Sequence, residues 1–253
     1  ILNMDFAYGA NLDLEPLEPG APRRQYGTAL LSRYPIQSSQ NTLLPTLGGE
    51  QRGLLEAEIA VRGARLRVMG THLQHDNAEE RTLQARAIAE RIDAIDEPVV
   101  LLGDLNAQAA DAELAPLMMR LDDAAALAGS GAPTYPAEAP DRRIDYVLFG
   151  RCLRVKTSFV SPTLASDHLP VSATLILPRR SGGRHAADCP QKALARAHAP
   201  LYRRERLRVT LAQLFAERPL VVDVEEVFEV ESVERPRAAP PEHRGEFAPV
   251  LGY

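Results

Sequence analysis

Short aliphatic runs separated by polar turns dominate the first 178 residues of the chain and predict a protein rich in β-strands. Residues 54–61 (LLEAEIAV) and 66–71 (LRVMGT) flank the turn RGAR and predict a hairpin. The four aliphatic residues 99–102 are typical of a central strand that is covered on both faces. The same reasoning predicts further strands at residues 143–150, 153–160 and 169–177.

Helical periodicity is restricted to two segments of this region. Residues 77–95 predict an amphipathic helix, in which Asn77 is the N-cap and Glu80, three residues on, completes a capping-box pattern. Residues 111–119 predict a second, short helix. Because strands precede, separate and follow these helices, the order favours mixed sheets with helices packed outside over a doubly wound parallel sheet.

The last quarter of the chain has a different composition. The polar, Gly-containing residues 177–191 predict a boundary, so we divide the chain into a domain at residues 1–178 and a linker with a C-terminal extension at residues 179–253. Within the extension we predict an Arg-rich helix at residues 202–217, a strand at 219–230 and disorder at 234–249.

Composition limits the classes of function. Hydrophobic residues make up 45% of the chain and charged residues 25%, as in a soluble globular protein. No apolar run is long enough to cross a bilayer, no signal peptide is visible, and the two cysteines show no metal-ligand spacing. Residues 179–253 carry 13 Lys and Arg and 11 Asp and Glu, which leaves 16 and 23 for residues 1–178, a net charge of −7. This negative charge argues against tight binding of long nucleic acids.

Polar side chains follow or enter four of the predicted strands. The strand at 66–71 runs into His72, and the strand at 99–102 runs into Asp104 and Asn106. Asp145 lies within an alternating strand, and Asp167 and His168 come directly before the last strand of the domain. Each of these residues alone could belong to a turn, a cap or a structural ion pair. All of them together predict one shared site at one edge of the sheets.

Several chemistries do not match these residues. The segment 72–75 (HLQH) lacks the Glu of a zinc-protease helix, and Gly48 and Gly49 lack the Lys of a phosphate-binding loop. Ser166, Asp167 and His168 are adjacent, so their side chains cannot converge as a nucleophilic triad. The remaining set is rich in carboxylates and suits a hard cation such as Mg²⁺ better than zinc.

The motifs YGTALLSRYPI, GTHLQH, GDLNAQ, RIDYVLF and SDHLPV occur in this order between residues 20 and 178. Through these motifs and their order, the chain resembles the endonuclease/exonuclease/phosphatase family, the Mg²⁺-dependent enzymes with the deoxyribonuclease-I-like fold. The resemblance implies an α/β fold, a four-layer α/β/β/α sandwich of mixed sheets. It also implies a phosphoric ester hydrolase, either a phosphodiesterase, a phosphatase or a nuclease, that uses Mg²⁺ or Mn²⁺.

The resemblance also implies roles for individual residues. Asp104 would orient and deprotonate the attacking water and contact the metal, and Asn106 would hold the same water or a phosphate oxygen. His168 would contact the scissile phosphate, or serve as the base in other proposals for the family, with its ring oriented and charged by Asp145. In this scheme the imidazoles act as charged donors to phosphoryl oxygens.

The two remaining roles concern a donor and the metal. His72 would donate to a non-bridging oxygen, and Asp167 would help to hold the metal. For the substrate, the negative domain favours a small or lipid-type phosphoester slightly over nucleic acid.

The chain departs from the family pattern at its start. The family begins with a strand ending in Asn and a strand ending in Gln-Glu, whose Glu is the principal metal ligand, and neither motif is present. We therefore expect the domain to be N-terminally incomplete, with Asn11 and Glu15 not acting as substitutes because no apolar strand precedes them. The alternative function is a catalytically impaired fragment or a non-enzymatic interaction module of the same fold.

Overall fold

The computed structural model describes residues 4–150, 153–178, 204–213 and 220–226. It contains twelve strands in these residues: β1 Asp5–Leu14, β2 Arg24–Ser32, β3 Ile36–Leu43, β4 Gly53–Val61, β5 Ala64–His72, β6 Val99–Asp104, β7 Leu121–Asp123, β8 Asp145–Gly150, β9 Arg154–Val160, β10 Val171–Pro178, β11 Arg204–Gln213 and β12 Leu220–Glu226. The described helices are α1 Ala78–Asp93, a 3₁₀ turn Ala112–Leu114, α2 Ala115–Met118 and α3 Ala124–Ala128.

The strands form two six-stranded sheets. The first sheet has the order β1-β2-β12-β11-β10-β9, and the second has the order β3-β4-β5-β6-β8-β7. Each sheet is mixed, because β12 pairs with β2 and β5 pairs with β6 in parallel while the other pairs are antiparallel. Side chains from both sheets form one apolar cluster, in which Leu30 and Leu175 of the first sheet join Leu102 and Val147 of the second. This confirms the predicted α/β sandwich of mixed sheets.

The second sheet has a further apolar layer on its outer face. Ile88 and Ile92 of α1 are fully buried in a cluster with Val99 and Leu101 of β6. Strand β6 is therefore covered on both faces, as its continuous aliphatic sequence predicts. Burial of each such side chain contributes about 1.5–3 kcal/mol.

Helix α1 begins as the sequence predicts, with one difference. The Asn77 side chain accepts a hydrogen bond from the Glu80 backbone N–H at 3.1 Å, so Asn77 is the N-cap. The Glu80 carboxylate does not complete the capping box. Instead it accepts the Leu47 N–H at 2.9 Å and ties the loop between β3 and β4 to the helix.

The predicted hairpin and the predicted strands of the domain are also present. Strands β4 and β5 are joined by Arg62 and Gly63, which both have positive φ angles (46° and 85°). Two successive residues of positive φ match the right-handed twist of a hairpin. The short helix predicted at residues 111–119 occurs as the 3₁₀ turn followed by α2.

The helix predicted at residues 202–217 is wrong. Residues 204–213 form β11, which pairs with β10 and β12. Leu207, Val209 and Leu211 alternate with polar residues, and this period of two belongs to a strand. Strand β12 lies within the predicted strand 219–230, while the segments 179–203 and 234–249, where a linker and disorder were predicted, lie outside the described residues.

The expectation that no strand precedes Asn11 is also wrong. Asn11 lies within β1, where its Oδ1 accepts a hydrogen bond from Asn41 Nδ2 at 3.1 Å. The alternation in β1 places exposed Phe6 and Tyr8 on the outer face of the first sheet. Helix α1 packs against the second sheet. Within the described residues, no helix is both long and apolar enough to span a membrane.

Candidate active site

Three of the predicted site residues form a row across the second sheet. In the parallel pair β5–β6, His72 lies opposite Asp104, and in the antiparallel pair β6–β8, Asp104 lies opposite Asp145. The His72 Nε2 atom lies 3.5 Å from Asp104 Oδ2. Strand register therefore brings together residues that are 32 and 41 positions apart in the sequence.

The residue before Asp104 has to be small. A Cβ atom on Gly103 would lie 2.3 Å from the backbone oxygen of Thr71 in the neighbouring strand. Glycine at this position allows β5 and β6 to approach closely at the end that carries His72 and Asp104.

Asn106 fixes the turn that follows β6. Its φ angle is +49°, a left-handed conformation in which Asn is enriched over most other residues. Its backbone N–H donates to Asp104 Oδ1 at 2.9 Å, and its Nδ2 donates to the backbone oxygen of Leu73 at 2.9 Å. Asn106 therefore holds the Asp104 carboxylate and links the two strand ends.

His168 approaches the row from the loop before β10, in the first sheet. Its Nδ1 atom lies 2.9 Å from Asp145 Oδ2, and its Nε2 atom lies 3.8 Å from Asp104 Oδ2. The backbone N–H of His168 donates a hydrogen bond to the Ser166 hydroxyl, and the ring of Tyr135 packs against the imidazole with centroids 4.5 Å apart. The imidazole is thereby oriented with Nδ1 toward Asp145 and Nε2 toward Asp104.

These residues surround a pocket of about 690 Å³. Its wall includes five of the six predicted site residues, and Asp145 lies behind His168, 2% exposed. The complete lining is Leu12, Tyr26, Glu50, Arg52, His72, His75, Asp104, Asn106, Tyr135, Arg142, Ile144, Asp167 and His168.

The two neighbouring carboxylates have an unusual electrostatic environment. Burial and then the charge of Asp145 raise the pKa of Asp104 to about 7, although His168 and the Asn106 N–H favour its charged form. Two buried carboxylates in contact with one imidazole leave an excess of negative charge. A cation would relieve this repulsion.

The pKa values of the two histidines shift in opposite directions. Burial opposes the charged form of His168, but the hydrogen bond to Asp145 and the charges of Asp145 and Asp104 outweigh it and raise its pKa. For His72, burial and then the charge of Arg52 lower the pKa well below 6.5, so this imidazole is neutral at neutral pH. Both histidines were predicted to be charged donors, but the surroundings of His72 favour its neutral form.

Asp104, Asp145 and His168 are the group with metal-binding geometry in the described part of the chain. One ligand atom from each lies within 4.8 Å of the others. Asp167, predicted as a metal ligand with Asp104, lines the pocket but lies outside this group. Its Oδ1 accepts from the Ser166 hydroxyl at 3.3 Å.

Several residues of the pocket wall were not predicted from the sequence. The most notable is Arg52, which is 3% exposed although it precedes β4 in a polar, Gly-containing segment. Tyr26 contacts His72 through its hydroxyl, 3.3 Å from Nδ1. Tyr135 and Arg142 pair with each other in an isolated antiparallel β-bridge, and no spacing signal in the sequence indicates them.

Comparison with known proteins gives matches over this same region. The model described as "Endonuclease/Exonuclease/phosphatase family" matches residues 2–168. The uncharacterized protein YbhP of Escherichia coli (strain K12) is 33% identical over 189 residues, which is 68% of this chain and 69% of YbhP.

Solved structures share the fold. An endonuclease/exonuclease/phosphatase from Bacteroides vulgatus superposes with a TM-score of 0.56 at 20% identity, over 68% of this chain and 76% of that one. A mannosyl-6-phosphatase of Bacteroides thetaiotaomicron has a TM-score of 0.55 at 16% identity, over 69% of this chain and 78% of that one.

Proposed function

Since the chain belongs to the endonuclease/exonuclease/phosphatase family, we propose that it is a metal-dependent phosphoester hydrolase in which Asp104 activates the attacking water. The observation that carries this proposal is the convergence of His72, Asp104, Asn106 and His168 on one pocket.

Asp104 is suited to be the general base. A base is most effective when its pKa lies near the working pH, and that of Asp104 is raised to about 7. Its Oδ1 accepts the Asn106 N–H, and its Oδ2 faces both imidazoles, so the carboxylate is fixed in orientation. A water molecule held at this carboxylate would transfer a proton to Asp104 as its oxygen attacks phosphorus. The ester P–O bond then breaks, and the released alkoxide takes a proton from solvent and leaves as the alcohol.

The two histidines would bind the phosphoryl oxygens in different ways. The His168 Nδ1 pairs with Asp145, which leaves its Nε2–H in the pocket as a charged donor. His72 is neutral, and if the Tyr26 hydroxyl donates to Nδ1, its Nε2–H lies beside the Asp104 carboxylate and would donate to a non-bridging oxygen bound there.

The donor set fits a hard divalent cation. Asp104 offers carboxylate oxygens inside the pocket, and Asp167 offers a second carboxylate in the pocket wall. Asp145 is better placed to orient His168 than to bind the ion, since it already pairs with that ring. A bound Mg²⁺ or Mn²⁺ supplies positive charge that stabilises the charge developing on the phosphoryl oxygens.

The substrate class that we propose is a phosphoester, with small or lipid-type molecules favoured over nucleic acid. The net charge of −7 over residues 1–178 supports this preference, because a long polyanion would be repelled by the domain.

Hydrolysis of p-nitrophenyl phosphate and of bis(p-nitrophenyl) phosphate by the purified full chain tests this proposal. With Mg²⁺ or Mn²⁺ present, Asp104→Asn and His168→Asn should each lower kcat by about 10²–10⁴-fold. Asp93→Asn is the matched control, because Asp93 pairs with Arg120 away from the pocket.

The same assay separates the enzyme from its alternative. Turnover that persists in excess EDTA, or that is equal in both site variants, would contradict the proposal. Absence of turnover on both esters, combined with no Mg²⁺ binding by isothermal titration calorimetry, would favour the non-catalytic interaction module.

A further inference from the structure

Arg52 is a buried cation in the wall of the active-site pocket. It directly precedes Gly53, the first residue of β4, and its side chain is 4% exposed. Its Nη1 lies 2.8 Å from Glu50 Oε1, and its Nη2 lies 3.4 Å from His75 Nδ1. Among the described residues, no acceptor pairs with its Nε.

The charge of Arg52 acts on the catalytic residues. After burial, it is the next cause of the low pKa of His72. Burial raises the pKa of Asp104, and Arg52 is one of the groups that oppose this rise. Arg52 and Asp104 line the same pocket, so the guanidinium can interact with a group bound at the Asp104 carboxylate.

Glu50 is a counter-ion that can leave. Its side chain is 40% exposed and lines the pocket, and it follows Gly48, which has a φ angle of +107°, and Gly49. The loop is anchored before this point, because the Leu47 N–H donates to Glu80. Rotation of the Glu50 side chain toward solvent would free one face of Arg52 without moving the base of the loop.

We infer that Arg52 binds the phosphate of a phosphomonoester, and that the Glu50 carboxylate occupies this anion position until the substrate displaces it. The inference rests on the proposed function and names its substrate class. A phosphomonoester carries one negative charge more than a diester, so a fixed cation beyond His168 and the metal favours the monoester. A buried guanidinium is also strongly destabilised without an anionic partner, so loss of Glu50 favours binding of another anion.

The pair of Arg67 and Glu58 shows how a purely structural arginine differs. Arg67 Nη2 lies 3.3 Å from Glu58 Oε2 and 3.9 Å from Glu97 Oε1, so two largely buried carboxylates hold it. Neither Arg67 nor Glu58 lines the pocket. The variants Arg67→Met and Glu58→Gln therefore serve as matched controls.

Binding of inorganic phosphate in EDTA, measured by isothermal titration calorimetry on the full chain, tests the inference without turnover. Arg52→Met should weaken binding by about tenfold to a hundredfold, the effect of losing a charged hydrogen bond. Glu50→Gln should tighten binding by about twofold to fivefold, since a competing surface anion is removed. The two control variants should bind phosphate as the wild type does.

A kinetic ratio gives a second readout. Arg52→Met should lower kcat/KM for p-nitrophenyl phosphate at least about tenfold more than for bis(p-nitrophenyl) phosphate. If circular dichroism shows that Arg52→Met is unfolded, Arg52→Lys and Glu50→Gln test the inference instead. Lys keeps the positive charge but loses the bidentate hydrogen bonding of the guanidinium, and Glu50 is partly exposed, so its substitution should be tolerated.

The outcomes separate this inference from the proposed function. Phosphate affinity that is unchanged in Arg52→Met, or weakened in Glu50→Gln, would overturn the inference even if Asp104-dependent turnover is found. Phosphate binding that depends on Arg52 in a protein without turnover would support the inference while the proposed function fails.

Discussion

Asp104 and Asp145 lie directly opposite each other on adjacent antiparallel strands, and both are 2% exposed. This arrangement separates their roles. The Asp104 carboxylate faces the pocket, while Asp145 stands behind His168 and pairs with its Nδ1 at 2.9 Å. The register of a single strand pair thus places the proposed general base next to the residue that orients the proposed charged donor.

The variant Asp145→Asn tests this division. Loss of the carboxylate should lower the pKa of His168, because its hydrogen bond to Asp145 is the main cause that raises it. We expect kcat to fall by roughly tenfold to a hundredfold, as for other residues that orient a functional histidine. NMR titration of the His168 imidazole measures the pKa shift, and Glu113→Gln, at an ion pair outside the pocket, is the control.

Asp104 should make the metal-free protein less stable as the pH rises. Its folded-state pKa of about 7 exceeds the ordinary value of 3.8, so the folded state keeps a proton that the unfolded chain releases. Between about pH 4 and pH 7 the folded state binds more protons, and this contribution to stability is lost as the pH rises through the folded pKa.

Urea unfolding in EDTA of the wild type and of Asp104→Asn measures this effect. The free energy of unfolding of the wild type, relative to that of Asp104→Asn, should decline across that window by at most about 1.4 kcal/mol per pH unit. A difference that is constant with pH would show that Asp104 titrates normally.

Gly103→Ala should destabilise the protein by about 1–3 kcal/mol or more. The added methyl group would lie 2.3 Å from the Thr71 backbone oxygen, which cannot move without disturbing the parallel pair β5–β6. Gly131→Ala is the control, because the nearest atom there lies at 3.8 Å and the change should be close to neutral. Chemical denaturation of both variants provides the comparison.

Substitutions of Asn106 can separate its backbone and side-chain roles. Asn106→Gly keeps the φ angle of +49° accessible and loses the hydrogen bond to Leu73, whereas Asn106→Ala also strains the backbone. Asn106→Ala should therefore be less stable than Asn106→Gly by about 1 kcal/mol. Equal thermal midpoints for the two variants would show that the positive φ angle at this position does not destabilise an alanine relative to a glycine.

Much of the fold follows from local patterns. The aliphatic run of β6 and the alternation of β8 predict central strands, and the structure contains both. The segment 204–213 was wrongly predicted as a helix because its many arginines suggested a solvent-exposed helix. Its period of two is typical of a strand, and pairing with β10 stabilises that conformation.

The site was predictable where side chains sit at strand ends. His72, Asp104 and Asp145 meet because register aligns them, and His168 follows the same logic from the first sheet. Arg52 was missed because burial of a charge depends on tertiary packing: its sequence neighbours Glu50 and Gly53 resemble an ordinary polar loop.

The position of β11 and β12 has a practical consequence for shortened versions of the protein. Within the described residues, these two strands are the link between the β1–β2 pair and the β10–β9 pair of the first sheet. A recombinant chain that stops at residue 178 would leave one side of β2 and one side of β10 without a partner strand, and unpaired strand edges recruit other chains. Expression should therefore extend through residue 226, and we expect the shorter product to precipitate or self-associate.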